Sequence, residues 1–343
     1  MIRVGVDAWN LVDDRRGIGR YLRSILDEWR TRYAHRVDVT LIVPPWHAWT
    51  VAPRFREAAG AHYRVVSRRW HRRARLDVLW FPFNGCSWLD FSLPSVATLH
   101  DATNFVIPGY QPEAQVLFRR AVERCRELIT VSVFSQHELA RVLQIDPERL
   151  TPIPHGVNPA PASTSPVPEI EALRPFVLFV GTSDARKGLD LLCRAMARVQ
   201  ASRPDVTLVL AGDRSDAIAH LDTVRARVLG FVDDARLHAL YAAASVFAFP
   251  SQYEGFGLPP LEAMAHGTPV VTTATTAIPE AAGDAALYAD VQDAEAFARA
   301  LLDVLDDSAL AASLRERGLA RAASMPWSAA AEATLTVLEQ AAR

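Results

Sequence analysis

The chain has 343 residues, half of them hydrophobic and 22% charged, with a formal net charge of −2 and a mean hydropathy of +0.05. This balance excludes disordered, collagen-like and coiled-coil chains and offers no general pull toward nucleic acid, while the length suits two domains of about 150 residues each. No apolar run reaches the ~18 residues of a membrane-spanning helix and the N-terminus lacks a signal-peptide layout, so a soluble, cytoplasmic protein is expected.

Strand-like runs alternate with helix-length amphipathic stretches from the start. Ile2–Val6 is followed by a helix from about Ile18 to Arg32, then by strands at Val37–Val43, Val78–Phe81 and Val96–Leu99. This is the rhythm of a parallel sheet. It stops at 159–175, where four prolines crowd P-A-P-A-S-T-S-P-V-P, and that stretch is expected to be a linker. It resumes at 176–180, 206–212, 228–232, 246–250 and 269–273. The prediction is α/β: residues 1–158 form one doubly wound domain and 176–326 a second. The helical tail 327–343 is expected to return to the first.

Ligands of doubly wound sheets lie beyond the carboxyl ends of the strands, so the residues after each run are the candidates. Y-E-G-F-G-L-P-P-L-E, Tyr253–Glu262, places two acids around glycines and prolines where a strand hands over to a helix. Gly255, Phe256, Gly257 and Leu258 can present N–H groups at the positive end of the helix dipole, an anion cradle suited to a diphosphate. Glu262 can accept the two hydroxyls of a ribose, and Glu254 a sugar hydroxyl.

G-T-S-D-A-R-K-G-L follows another strand, with Gly181 and Thr182 opening the loop and Arg186 and Lys187 as adjacent cations. A guanidinium and an ammonium there can neutralise a phosphate leaving group. Lys187 is the chain's only lysine among 37 basic residues, which singles out a position that needs a compact ammonium. No Walker loop occurs.

R-G-I-G-R-Y, from Arg16 through Gly17 and Gly19 to Tyr21, lacks the third glycine of a dinucleotide fingerprint. It suits close approach of a helix start to a ligand phosphate or an acceptor. T-L-H-D ends a strand with His100 and Asp101, a candidate base or sugar-binding donor. Cys86, Cys125 and Cys193 are far apart and show no C-x-x-C pairing, so three small buried hydrophobes are expected, with no disulfide framework and no zinc site.

Together these motifs resemble the retaining glycosyltransferases of family 4, with the GT-B fold. E-x7-E at Glu254 and Glu262, R-K at 186–187, G-I-G-R-Y at 17–21, H-D at 100–101, V-S-x-F-S at 131–135, P-H-G-V-N at 154–158 and P-E-A-A-G-D-A-A-L-Y at 279–288 occur in the family's order. Residues of about 44–95 match nothing in that pattern.

The resemblance implies two Rossmann-like domains facing across a cleft, with a nucleotide-diphosphate sugar on the C-terminal domain and an acceptor on the N-terminal one. Arg186 and Lys187 would stabilise the departing diphosphate, Glu254 and the backbone at Phe256–Leu258 would orient the sugar, Glu262 would hold the ribose, and His100 would contact the donor sugar. Retention would need no side-chain nucleophile, and the absence of D-x-D agrees with chemistry needing neither metal nor cofactor. Mannosyltransferases of O-antigen assembly look most similar, making GDP-mannose the favoured donor and a UDP-hexose the alternative. A nucleotide-sugar epimerase, a phosphorolytic enzyme and a non-catalytic sugar-nucleotide binder are the weaker readings. A paired-carboxylate glycosidase has no use for the Arg186–Lys187 site.

On the acceptor side, seven of eight tryptophans lie within the first 88 residues, Trp46 and Trp49 among them. Residues 54–75 hold eight arginines against Glu57 alone. The block Arg64–Arg75, with Trp70 inside it, suits an anionic membrane surface or a lipid-diphosphate-linked glycan. One such patch on a net-acidic chain is a poor footprint for nucleic acid.

Overall fold

The computed structural model describes residues 1–14, 17–45, 52–59, 63–162, 167–212 and 218–343. The chain divides into two compact units, Met1–Gly156 with Pro326–Arg343, and Val157–Met325.

Among the described residues the first unit has a seven-stranded parallel sheet: β1 (Ile2–Asp7), β2 (Val37–Val43), β3 (Arg64–Ser67), β4 (Val78–Phe81), β5 (Ser95–Leu99), β6 (Glu127–Thr130) and β7 (Leu150–Pro152), in the order β3-β2-β1-β4-β5-β6-β7. The strands read as nearly continuous apolar runs because helices cover both faces of such a sheet. Helix Gly17–Arg32 buries Tyr21, Leu22, Ile25, Leu26 and Trp29, one stripe at helical spacing. Helix Trp327–Ala341 packs against it, and Trp29 Nε1 donates to the Ala331 carbonyl at 2.8 Å.

Among its described residues the second unit has six parallel strands: β8 (Phe176–Val180), β9 (Thr207–Ala211), β10 (Ala226–Gly230), β11 (Val246–Phe249), β12 (Val270–Thr273) and β13 (Ala286–Ala289), in the order β10-β9-β8-β11-β12-β13. Its core gathers Val177, Phe179, Leu192, Met196, Phe297 and Leu301. Within the stretch expected as a linker, Pro168–Glu171 forms a helical turn and Ile170 is buried, so this part packs with the second unit.

Each sheet reverses its winding between two adjacent strands, β1 and β4 in the first unit, β8 and β11 in the second. The carboxyl ends of such strand pairs are where ligands of doubly wound sheets bind.

Candidate functional site

At the switch point of the second unit lie Gly181–Gly188 after β8 and Pro250–Gly257 after β11. The two loops are in close contact. Gln252 N donates to the Arg186 carbonyl at 2.7 Å, and Gly188 lies so near Pro250 that an added Cβ would sit 2.1 Å from its carbonyl oxygen. Gly188 also has a φ of +70°, so glycine is required on both counts.

These contacts place Lys187 against Glu254. The ammonium donates to Glu254 Oε1 at 2.5 Å, and Ser251 Oγ donates to the same oxygen at 2.6 Å. Arg186 Nη1 lies 3.7 Å from Oε2 and 3.1 Å from the Tyr253 carbonyl oxygen it donates to. Asp184 holds Arg186 from the other side, with Nε 3.2 Å from Oδ1, while Thr182 donates to Asp184 Oδ2. Burial pushes the Glu254 carboxyl up, but the charges of Lys187 and Arg186 and the two hydrogen bonds outweigh it and hold the group below its ordinary value. It is therefore ionised at neutral pH. The Lys187 ammonium has three N–H directions, and one is taken by Glu254.

Helix Leu258–Ala265 starts at Gly257, whose φ of +111° turns the chain into it. Pro259 and Pro260 bring no N–H, so the backbone donors of the expected cradle come from Gly255 to Leu258. Glu262 is one turn further on, and Tyr241 OH donates to its Oε2 at 3.0 Å.

In the first unit His100 is 5% exposed. Its Nε2 meets the Pro82 carbonyl oxygen at 2.8 Å, so Nε2 carries the proton and buried Nδ1 is left as an acceptor with no hydrogen bond. Burial lowers its pKa and keeps the ring neutral. Tyr21, expected near an acceptor, is a core residue instead: it is 1% exposed, lies edge-on to His100 at 4.9 Å and stacks on His155 at 4.9 Å. Its ring sits on the apolar stripe of its helix, so its hydroxyl faces Thr98 Oγ1 at 3.4 Å.

Asp101 accepts from Thr103 N, a local turn. Gly19 N donates to Asp14 Oδ2 at 3.1 Å, so a carboxylate of the chain already occupies that N–H, while Gly17 is exposed. Arg16, Trp46 and Trp49 lie outside the described residues.

The basic block splits by direction. Trp70 is 46% exposed with the Arg73 guanidinium 4.1 Å from its ring, and Arg69, Arg72 and Arg75 are also exposed. Arg68 turns inward, where Nη2 donates to Ser87 Oγ at 3.0 Å and lies 3.8 Å from Asp7. Sequence reasoning missed this Asp7–Ser87–Arg68 group because its members come from three distant segments: the end of β1, the turn after β3 and the loop after β4. It missed Ser251 too, although a serine three residues before Glu254 in a strand-to-helix loop was a signal to use. Cys86 and Cys125, far apart in sequence, are neighbours with sulfurs 3.4 Å apart, both free thiols.

Comparison with known proteins agrees with this architecture. Residues 15–161 match Glycosyltransferase Family 4, and residues 174–307 match Glycosyl transferases group 1. O-antigen chain mannosyltransferase B of Escherichia coli is 32% identical over 291 residues, covering 77% of this chain and 76% of that protein. MMP alpha-(1->4)-mannosyltransferase of Mycolicibacterium hassiacum is 32% identical over 237 residues, 65% of this chain and 56% of that protein. HepE of Anabaena, solved with UDP and glucose, superposes with a TM-score of 0.77 at 17% identity over 99% of this chain and 100% of that one. With two parallel sheets of the GT-B type and a curated relative at this identity across three quarters of its length, the chain belongs to the group 1, family 4 glycosyltransferases.

Proposed function

We propose that the protein transfers a hexose, with retention of configuration, from a nucleotide-diphosphate sugar to a glycan, glycolipid or lipid-linked acceptor in the synthesis of a cell-surface polysaccharide. The observation that carries this reading is the Arg186–Lys187–Glu254 cluster at the switch point of the C-terminal sheet. Asp184 and Glu254 brace Arg186 and Lys187, which fixes the two cations where the negative charge of a leaving diphosphate would develop. Such prepositioned charge is the largest single aid to this kind of bond cleavage. Arg186 would grip the phosphate with its fork, Lys187 would add its remaining N–H groups, and Glu254, fixed by Ser251, would orient the sugar. Glu262 would hold the ribose. His100, with Nε2 committed to Pro82, would contact the donor sugar. On this reading transfer needs no metal, because the two side-chain cations supply the charge.

Mannose from GDP-mannose is the favoured donor, supported by the mannosyltransferase names of the two curated relatives. A UDP-sugar is the second reading, favoured by the UDP and glucose bound in HepE. The exposed Arg69, Trp70, Arg72, Arg73 and Arg75 would meet an anionic lipid surface on the cytoplasmic face. Among the described residues no helix is long and apolar enough to cross a membrane.

The test is a thermal-shift titration with GDP, UDP, ADP and their sugar conjugates, since a ligand of the native state raises Tm by an amount that grows with the logarithm of its excess over Kd. A shift with GDP and GDP-mannose supports the first reading, and a shift with UDP alone the second. No shift with any of them would sink the assignment of Lys187 and Glu262.

A further inference from the structure

Glu262 is held from two sides by residues that no motif of the chain singles out. Tyr241, in helix Asp234–Ala243, is 1% exposed and donates its hydroxyl to Glu262 Oε2 at 3.0 Å. His266, which ends the helix carrying Glu262, places Nδ1 2.7 Å from the Glu262 carbonyl oxygen. A carbonyl only accepts, so Nδ1 carries the proton and Nε2 of the neutral ring is an acceptor. His238 Nδ1, at 2.8 Å, donates to it. The His266 ring then stacks between its two partners, 5.3 Å from Tyr241 and 5.0 Å from His238, each at an angle of 27°.

The result is a clamp across two helices. Its side-chain arm, Tyr241, fixes one oxygen of Glu262, and its backbone arm, His266, fixes the peptide that carries it. Phe247 backs the Tyr241 ring edge-on at 5.5 Å, and Thr268 Oγ1 donates to the Tyr241 carbonyl. A glutamate has three side-chain torsions to order before it can accept a pair of vicinal hydroxyls, and a hydrogen bond from a buried, ring-stacked tyrosine orders them before the ligand arrives.

We propose that Tyr241 is a positioning residue for Glu262: by donating to Oε2 it sets the orientation in which the carboxylate meets the two hydroxyls of a nucleotide ribose, with His266 bracing the pair. This inference rests on the reading of Glu262 as the ribose-binding residue and adds the device that orients it.

The experiment compares the full chain with Tyr241→Phe, His266→Phe and Glu262→Gln. Calorimetric titration is done with UDP and GDP and with their 2′,3′-dideoxy counterparts, and the quantity read is the ratio of affinities for the ribo and dideoxy forms. The wild-type ratio is expected at about tenfold or more, and near one in Glu262→Gln. Tyr241→Phe keeps the ring stack and loses only the hydroxyl. It should cut the ratio to about a third or less and raise the donor KM with kcat within about twofold. His266→Phe keeps a stacked ring and should lower the ratio in the same direction, which covers the case of a Tyr241 variant that fails to fold. A wild type with no preference for the ribo form, or a preference that survives in Glu262→Gln, overturns the reading of Glu262 and the clamp with it. A preference lost in Glu262→Gln but intact in Tyr241→Phe and His266→Phe overturns the clamp alone.

Discussion

Lys187 and Glu254, 67 positions apart in sequence, meet at 2.5 Å with their side chains only 11% and 12% exposed. A buried pair of this kind is a weak source of net stability, but removing one member strands the other's charge. The cost of breaking it therefore falls on both fold and chemistry.

Lys187→Ala should lower the transfer rate by about 10²- to 10³-fold, the usual loss for one prepositioned charge-stabilising group. Lys187→Arg should not restore it, because a planar guanidinium does not fit a point-charge site beside Ser251 and Phe249. Initial rates with the donor identified by thermal shift decide this. A Lys187→Arg enzyme of wild-type rate would refute the requirement for a compact ammonium.

Transfer should be unchanged after dialysis against EDTA, and added magnesium or manganese should not stimulate it by more than about twofold if Arg186 and Lys187 carry the electrostatic demand. A lost rate that returns only with metal would remove that role from the two side chains.

Asp7 gives a prediction about pH. Burial raises its pKa to about 6, against the smaller opposing effects of Ser87 and Arg68. A folded-state pKa above the unfolded one contributes stability that is complete below the unfolded value, near 4, and is lost as pH rises through about 6. Asp7→Asn cannot ionise, so its stability relative to wild type should improve by about 2 kcal/mol between pH 4 and pH 7.5. Denaturant melts at the two pH values measure this difference. A flat difference would mean that Arg68 compensates the ionised carboxylate fully.

Gly188 and Gly109 separate two costs of a side chain. Both have positive φ, +70° and +75°, but a Cβ on Gly109 meets nothing within 4 Å. Gly109→Ala should cost only the left-handed conformation, about 1 kcal/mol. Gly188→Ala must also push Pro250 away, so it should cost about 3 kcal/mol or more and weaken donor binding. Equal losses in the two variants would show that the loops can part freely.

Trp29→Phe would leave the buried Ala331 carbonyl without its 2.8 Å donor and should cost about 1–3 kcal/mol in chemical denaturation. An unchanged midpoint would mean that the tail helix contributes little to the first unit.

Much of this fold is legible in the sequence because parallel strands buried on both faces are written as apolar runs. Val37–Val43, Val78–Phe81 and 176–180 coincide with strands to the residue. β3 is hidden because Arg64 and Ser67 bound only two apolar residues, and an edge strand can carry such charge. β7 spans three residues and ends in proline, too short for a period-2 signal. The loops of the site stand out for their glycines, prolines and charges. The pairing of Lys187 with Glu254 does not, since it depends on β8 and β11 lying side by side, an order that no local spacing encodes. Tyr21 misleads for the opposite reason: its place in a glycine-rich motif suggests a ligand, while the helical stripe through Leu22, Ile25 and Trp29 makes it core.

The tail helix has a consequence for synthesis. Residues 326–343 complete the unit that begins at Met1, while Val157–Met325 is continuous. On the ribosome, where domains fold as units and in order of emergence, the interrupted unit must wait until residues 326–343 have left the exit tunnel. The nucleotide-binding half proposed here, although encoded second, is the first to have its whole sequence available. Until residues 326–343 emerge, Trp29 and its apolar neighbours remain without the helix that covers them.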